Sequence, residues 1–226
     1  NRPPKFHLRL KTAARSGELV LRTKDLQVGY LPDKERGDSG KFLFAAADIT
    51  LRRQDCAALI GPNGAGKTTF LRTALENLAP LGGEVIMGSA LHVGYFAQAH
   101  EGLDPRKTLM QEIQSVRPEF LVHEVRDLLG KFLFSGDDAF KLVDMLSGGE
   151  RGRLALAKLA LQQTNFLLLD EPTTGLDAAA RQAVDDMMLR ASREGRTLVI
   201  ATHHGVAPGL AARVVTMRDG SVETGS

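Results

Sequence analysis

Residues Cys56–Thr69 read CAALIGPNGAGKTT, and the order of those residues decides the fold. CAALI is an apolar run with strand character, and the segment opening at Lys67 carries helical periodicity. Between them, Gly61-x-x-x-x-Gly66-Lys67-Thr68 has the full spacing of a Walker A phosphate loop, in its required strand–loop–helix setting. The glycines let the backbone bend and aim several N–H groups at one phosphate. Gly61, Pro62, Asn63, Gly64, Ala65 and Gly66 are therefore expected to wrap the phosphates of a nucleotide. Lys67 should bridge β- and γ-phosphate oxygens. Thr68 should offer its hydroxyl to Mg2+, which prefers hard oxygen ligands, and Thr69 should sit at the α-phosphate.

The other half of the site lies about a hundred residues downstream, in FLLLDEP at Phe166–Pro172. Its apolar residues read as a buried strand that delivers Asp170 to the carboxyl end, where ligands bind in open α/β sheets. Asp170 is expected to hold the Mg2+ shell, and Glu171 to face the attacking water as general base or water-orienting group. His203 follows a further apolar strand in LVIATHH and is placed to contact the γ-phosphate. Gln98, ending LHVGYFAQ, is placed to reach the metal or the water. His203 and His204 are adjacent and point apart, which argues against a zinc pair. Tyr30 closes the first strand stretch. Its ring either stacks on a base or is a half-buried strand aromatic, and both readings stay open.

Outward from these motifs, ELVLRTKDLQVGY (18–30) alternates as a strand, and 31–41 reads as a polar surface hairpin loop. FLFAAADITL (42–51) reads as one apolar strand, and the helix after the phosphate loop should run to about Leu78. GGEVIMG and LHVGYFAQ add short strands. From about 103 to 145 the pattern turns helical, in TLMQEIQSV, EFLVHEVRDLLGKFLF and DDAFKLVDML, which predicts a small inserted helical lobe. A helix to about Gln163, the strand FLLLDE, a helix over 178–194, the strand TLVIAT and a closing hairpin, RVVTMRDGSVE, complete the chain. The fold class is α/β: a P-loop NTPase with a mostly parallel sheet covered on both faces, an antiparallel β subdomain and an inserted helical subdomain. Residues 1–17 read as a linker or arm, and 18–226 as one domain.

Among the 226 residues, 43% are hydrophobic, enough for a full core. A net charge of +2 does not advertise nucleic-acid binding, although the arm NRPPKFHLRLKTAARSG is locally basic. A single cysteine, Cys56, excludes an internal disulfide and fits a reducing, cytoplasmic compartment. No apolar run approaches the ~20 residues of a membrane span. The chain begins with Asn and reads as part of a longer protein.

LSGGERGR, Leu146–Arg153, poses a separate question. Ser147, Gly148 and Gly149 open a helix and form a second anion cradle, about eighty residues from the first. With the phosphate loop, Gln98, LSGGE, Asp170-Glu171 and His203 in this order, the chain resembles the ATP-binding cassette (ABC) ATPases from about residue 19 to 223. LSGGE then corresponds to the family's signature motif, PTTGLD with Asp177 to its D-loop, and Tyr30 to its A-loop aromatic. The resemblance implies binding and hydrolysis of ATP with Mg2+ by cassettes that dimerise head to tail. Ser147, Gly148 and Gly149 would then close on the ATP held by an opposing cassette.

VGYFAQAH (93–100), LLGKFLFSGDDAFKLV (128–143) and LSGGERGRLALAKLAL (146–161) resemble the second cassette of the ABC-F subfamily, whose members lack membrane domains and act on ribosomes. That branch implies a second cassette, in the same polypeptide or in a homodimer, and a ribosome or RNA as partners. PTTGLD at 172–177, where ABC-F members usually read PTNHLD, is nearer the transporter style, and THH at 202–204 stands where SHD is usual. The alternative is the ATP-binding subunit of a membrane transporter, with a transmembrane subunit as partner. A DNA-repair or chromosome-maintenance cassette would carry long heptad insertions, and none is present.

Overall fold

The computed structural model describes residues 15–32, 39–46, 48–96, 102–203, 205–218 and 221–224. Gln98, His204, nearly all of the arm and the centre of the 31–41 loop lie outside the described residues. In chain order the elements are β1 (Leu19–Tyr30), β2 (Lys41–Ala45), β3 (Thr50–Arg52), β4 (Cys56–Ile60), α1 (Lys67–Ala74), β5 (Gly82–Met87) and β6 (Val93–Phe96). They continue with α2 (Leu109–Gln114), α3 (Val122–Lys131), α4 (Gly148–Leu161), β7 (Phe166–Asp170), α5 (Ala178–Arg193), β8 (Thr197–Thr202), β9 (Arg213–Arg218) and β10 (Ser221–Thr224).

The strands form two sheets. β1 pairs antiparallel with β2, β3 and β5. The larger sheet runs β10-β9-β4-β8-β7-β6, parallel except for the β9–β10 hairpin. All residues of β7 and β8 are buried, because helices cover one face of this sheet and the antiparallel sheet and α1 cover the other. Alternate residues serve two cores. Leu167 and Leu169 pack with α4, α5 and the helical lobe, whereas Phe166 and Leu168 pack with β1, β3 and α1. This order places β8 between β4 and β7, so the carboxyl ends of all three converge on one point.

Three expectations need correction. The stretch 42–51 is two strands, β2 and β3, joined across Ala46–Ile49 rather than one. The helix after the phosphate loop stops at Ala74, not near Leu78. Glu76 turns left-handed (φ 60°), while its N–H bonds Thr73 O and that of Asn77 bonds Arg72 O, a Schellman stop. DDAFKLVDML is not a helix but two 3₁₀ turns, Gly136–Phe140 and Val143–Met145, separated by extended Lys141 and Leu142. The backbone of 107–109 pulls that hinge straight: Leu109 N–H bonds Lys141 O and Val143 N–H bonds Lys107 O. Lys158 of α4 donates to Gly102 O (2.8 Å) and pairs with buried Glu112 of α2, fixing the lobe to the α4 helix. Among the described residues no helix is long and apolar enough to cross a membrane.

Candidate functional site

The strand ends that converge carry the phosphate loop after β4, Asp170 and Glu171 at the end of β7, and His203 after β8. They border an open cleft of about 420 Å³ lined by Tyr30, Lys41, Leu43, Asn63, Gly64, Gly66, Lys67, Thr68, Thr69 and Glu171. The structure thus gathers Tyr30, Asn63, Gly64, Gly66, Lys67, Thr68, Thr69 and Glu171 on the cleft, whereas Gly61, Pro62 and Ala65 of the loop, Asp170 and His203 do not line it.

The loop owes its shape to its glycines. Gly66, the N-cap of α1, has φ 95°, and a Cβ there would lie 2.5 Å from Phe44 Cε1. Gly66→Ala should therefore destabilise the chain by about 1–3 kcal/mol, from left-handed strain plus the clash, read as a lower thermal midpoint. The Tyr30 hydroxyl lies 3.2 Å from Thr69 Oγ1, and Tyr30 is 45% exposed, so its ring is accessible to a base.

Three charged side chains sit almost out of water at the floor: Lys67, Asp170 and Glu171 are 5%, 0% and 4% exposed. The Lys67 ammonium donates to Gly61 O (2.8 Å) and Pro62 O (3.2 Å) and lies 3.1 Å from Glu171 Oε1. Glu171 Oε2 lies 2.7 Å from His203 Nδ1 and 3.3 Å from the Thr174 hydroxyl. Burial alone would push the Glu171 carboxyl up, but His203 and Lys67 beside it hold it below the usual range. With Glu171 ionised, His203 Nδ1–H is the donor in that contact. Glu171 is itself left-handed (φ 47°), held by its N–H to Ala201 O at 2.8 Å. A strained residue pinned at a strand end is a common feature of reacting sites.

Asp170 differs. Burial pushes its carboxyl up, the Thr68 hydroxyl opposes this, and the charge of Glu171 adds to it. Neither Asp170 oxygen has a partner of good hydrogen-bond geometry among the described residues. Two orphaned, buried carboxylate oxygens beside a threonine hydroxyl are a hard-oxygen donor set that fits a divalent cation. No cluster of three or more His, Cys, Asp or Glu forms a self-sufficient metal site among the described residues. The metal's shell would therefore be completed by waters or phosphate oxygens.

Ser147 caps α4: it accepts from Glu150 N–H (3.3 Å), while Glu150 Oε2 accepts from Ser147 N–H (2.8 Å) and Oγ–H (2.7 Å). Ser147 and Gly148 are exposed, and none of Ser147, Gly148 or Gly149 lines the cleft. Arg153, on the same helix, reaches Asp177 at 3.4 Å and stacks over Phe134 at 5.3 Å, joining this end to the D-loop and the helical lobe. Sequence reasoning missed Lys41, Leu43 and Thr174. Thr174 was legible as a hydroxyl three residues past Glu171, whereas the other two depend on strand register.

Comparison with known proteins bears on this geometry. Residues 44–174 match the family described as ABC transporter. The chain is 38% identical over 200 residues to the ATP-binding protein Uup of Haemophilus influenzae, covering 87% of this chain and 29% of that protein. It is 31% identical over 219 residues to ABC transporter F family member 2 of Arabidopsis thaliana, covering 95% and 30%. The chain thus spans about 30% of the length of these relatives. A dimeric post-hydrolysis structure of the ATP-binding cassette MJ0796, bound to ADP and Pi, aligns with a TM-score of 0.72 at 20% identity, covering 91% of this chain and 98% of that one. At that identity the likeness speaks for the fold.

Proposed function

Because this chain belongs to the ABC transporter family and is an ATP-binding cassette, we propose that it hydrolyses Mg-ATP within a composite site shared with a second cassette, as the carboxyl-terminal cassette of an ABC-F-type protein. Residues 18–226 are the cassette, 103–145 its helical lobe and 1–17 the arm leading into it. The observation that carries the reading is the placement of Ser147–Gly149. A helix N-terminus with an exposed serine and two glycines is made for an anion, yet it lies off the one cleft that holds Lys67. An opposing cassette supplies the missing phosphate and receives the same service in return.

In this assignment Lys67 and the loop amides grip the β- and γ-phosphates, and Thr68 and Asp170 hold Mg2+. Glu171 orients the attacking water, His203 and Gln98 address the γ-phosphate and water, and Tyr30 stacks on adenine. Mg2+ supplies charge neutralisation on the phosphates when bound. The likeness to Uup and to the Arabidopsis F-family member supports the ABC-F branch and, with it, a ribosomal target. PTTGLD keeps a transporter ATPase as the second reading. Co-sedimentation with ribosomes in the presence of ATP separates the two.

Shared sites make a direct prediction. ATP turnover per chain should rise with protein concentration, measured as phosphate release over a hundredfold dilution series. A concentration-independent rate within the ~1–100 s⁻¹ range of efficient phosphoryl-transfer enzymes would overturn the composite site.

A further inference from the structure

The cleft has a cation that the phosphate loop does not provide. Lys41 opens β2 and pairs directly with Tyr30 of β1, so the two side chains share a face and both border the cleft. Further along, the register shifts between Val28 and Gly29: Gly29 faces Phe42, but Val28 faces Phe44. Leu43 is the extra residue of a β-bulge. In a regular strand Lys41 and Phe44 would point to opposite faces; the bulge brings both to the Tyr30 face.

That bulge anchors β2 to the phosphate loop, because Phe44 packs against Gly66. Gly29 makes the close pairing possible, since a Cβ there would lie 2.2 Å from Lys41 O. The Lys41 side chain is exposed, with no hydrogen bond or ion pair among the described residues. Lys67, by contrast, is buried at the floor of the cleft, held by Gly61 O, Pro62 O and Glu171. An exposed ammonium on the wall of a cleft built for a polyanion, beside the aromatic platform rather than beside Glu171, faces the nucleoside end of the phosphate chain.

We propose that Lys41 is a phosphate-binding residue of this cleft, delivered by the bulge in the β1–β2 pair to the phosphates nearest the ribose. The proposal rests on the cleft being the ATP site. Lys41 then contributes alike to ATP and ADP, contributes nothing to adenosine, and acts through a charge that salt screens.

Calorimetric titration of the chain with ATP and ADP at low and high salt tests this, with adenosine as competitor, for wild type, Lys41→Met, Lys41→Arg and Lys67→Met. Lys41→Met should weaken ATP and ADP binding equally, by about 2- to 5-fold at low salt and less at high salt, the usual worth of an exposed charge contact. Adenosine should compete as in wild type, and Lys41→Arg should restore binding. Wild-type affinities in Lys41→Met overturn the proposal. So does a loss shared by adenosine, which would make Lys41 a support for the base platform, or a loss confined to ATP, which would place it at the γ-phosphate. If wild type binds no nucleotide, or Lys67→Met binds ATP as wild type does, the reading of the cleft itself fails, and the proposal with it.

Discussion

Replacing Glu171 by glutamine should lower ATP hydrolysis at saturating ATP by about 10²- to 10⁴-fold, the usual worth of a positioned acid–base group, while ATP remains bound. The substitution preserves shape at a site only 4% exposed, and its amide NH2 is accommodated if His203 presents Nδ1 as acceptor and the Thr174 hydroxyl rotates. The amide oxygen can still accept from Lys67, which also keeps its bonds to Gly61 O and Pro62 O. What disappears is the negative charge that Lys67 and His203 hold in place, and with it the ability to take a proton from water. The same change frees Lys67 from its resting ion pair, so affinity for ADP should not fall. Phosphate release and nucleotide calorimetry on one preparation decide the matter. Unchanged turnover removes Glu171 from the reaction, and joint loss of turnover and binding makes it a structural residue.

The parts that were legible in the sequence are those where one local pattern fixes the outcome. β7 and β8 are buried on both faces, so FLLLD and TLVIAT appear as unbroken apolar runs with polar residues only at their ends. The phosphate loop and Asp170-Glu171 follow because each sits at such an end. The failures share a different cause. Ala139 and Val143 are both buried four residues apart, which imitates a helix, but the bonds between 107–109 and 141–143 impose an extended hinge. The bulge opposite Val28 and Gly29 depends on which residue of β2 meets which residue of β1, and no run of residues announces it; Lys41 and Leu43 were missed for that reason. The ion pair of Lys67 with Glu171 likewise needs β7 to return beside β4 with only β8 between them.

That ion pair gives Lys67→Met two separable effects. Losing an ammonium that would meet phosphate oxygens should weaken ATP and ADP binding by about 10- to 100-fold. The same change leaves the buried Glu171 carboxylate without its ion-pair partner. Breaking one partner of a buried pair costs about 3–5 kcal/mol, and at ~2–4 °C per kcal/mol for a chain of this size the thermal midpoint near pH 7.5 should fall by roughly 6–20 °C. The sign of the pH dependence identifies the cause. In wild type the Glu171 pKa is depressed, so its contribution is present above the ordinary carboxylate range and is lost as pH falls through the folded value. In Lys67→Met burial gains the upper hand, because only the hydrogen bonds from His203 and the Thr174 hydroxyl remain beside the carboxylate. The Glu171 pKa rises above its unfolded value, and the folded state takes up a proton that the unfolded state does not. Stability of the variant should therefore increase between pH 7.5 and 5.5, narrowing its gap to wild type. Adding Glu171→Gln should restore much of the midpoint at pH 7.5 without restoring nucleotide affinity, because the second substitution removes the stranded charge but supplies no cation. A gap that is constant with pH, or a double variant as unstable as the sum of the singles, would show that Lys67 stabilises the loop through Gly61 O and Pro62 O alone.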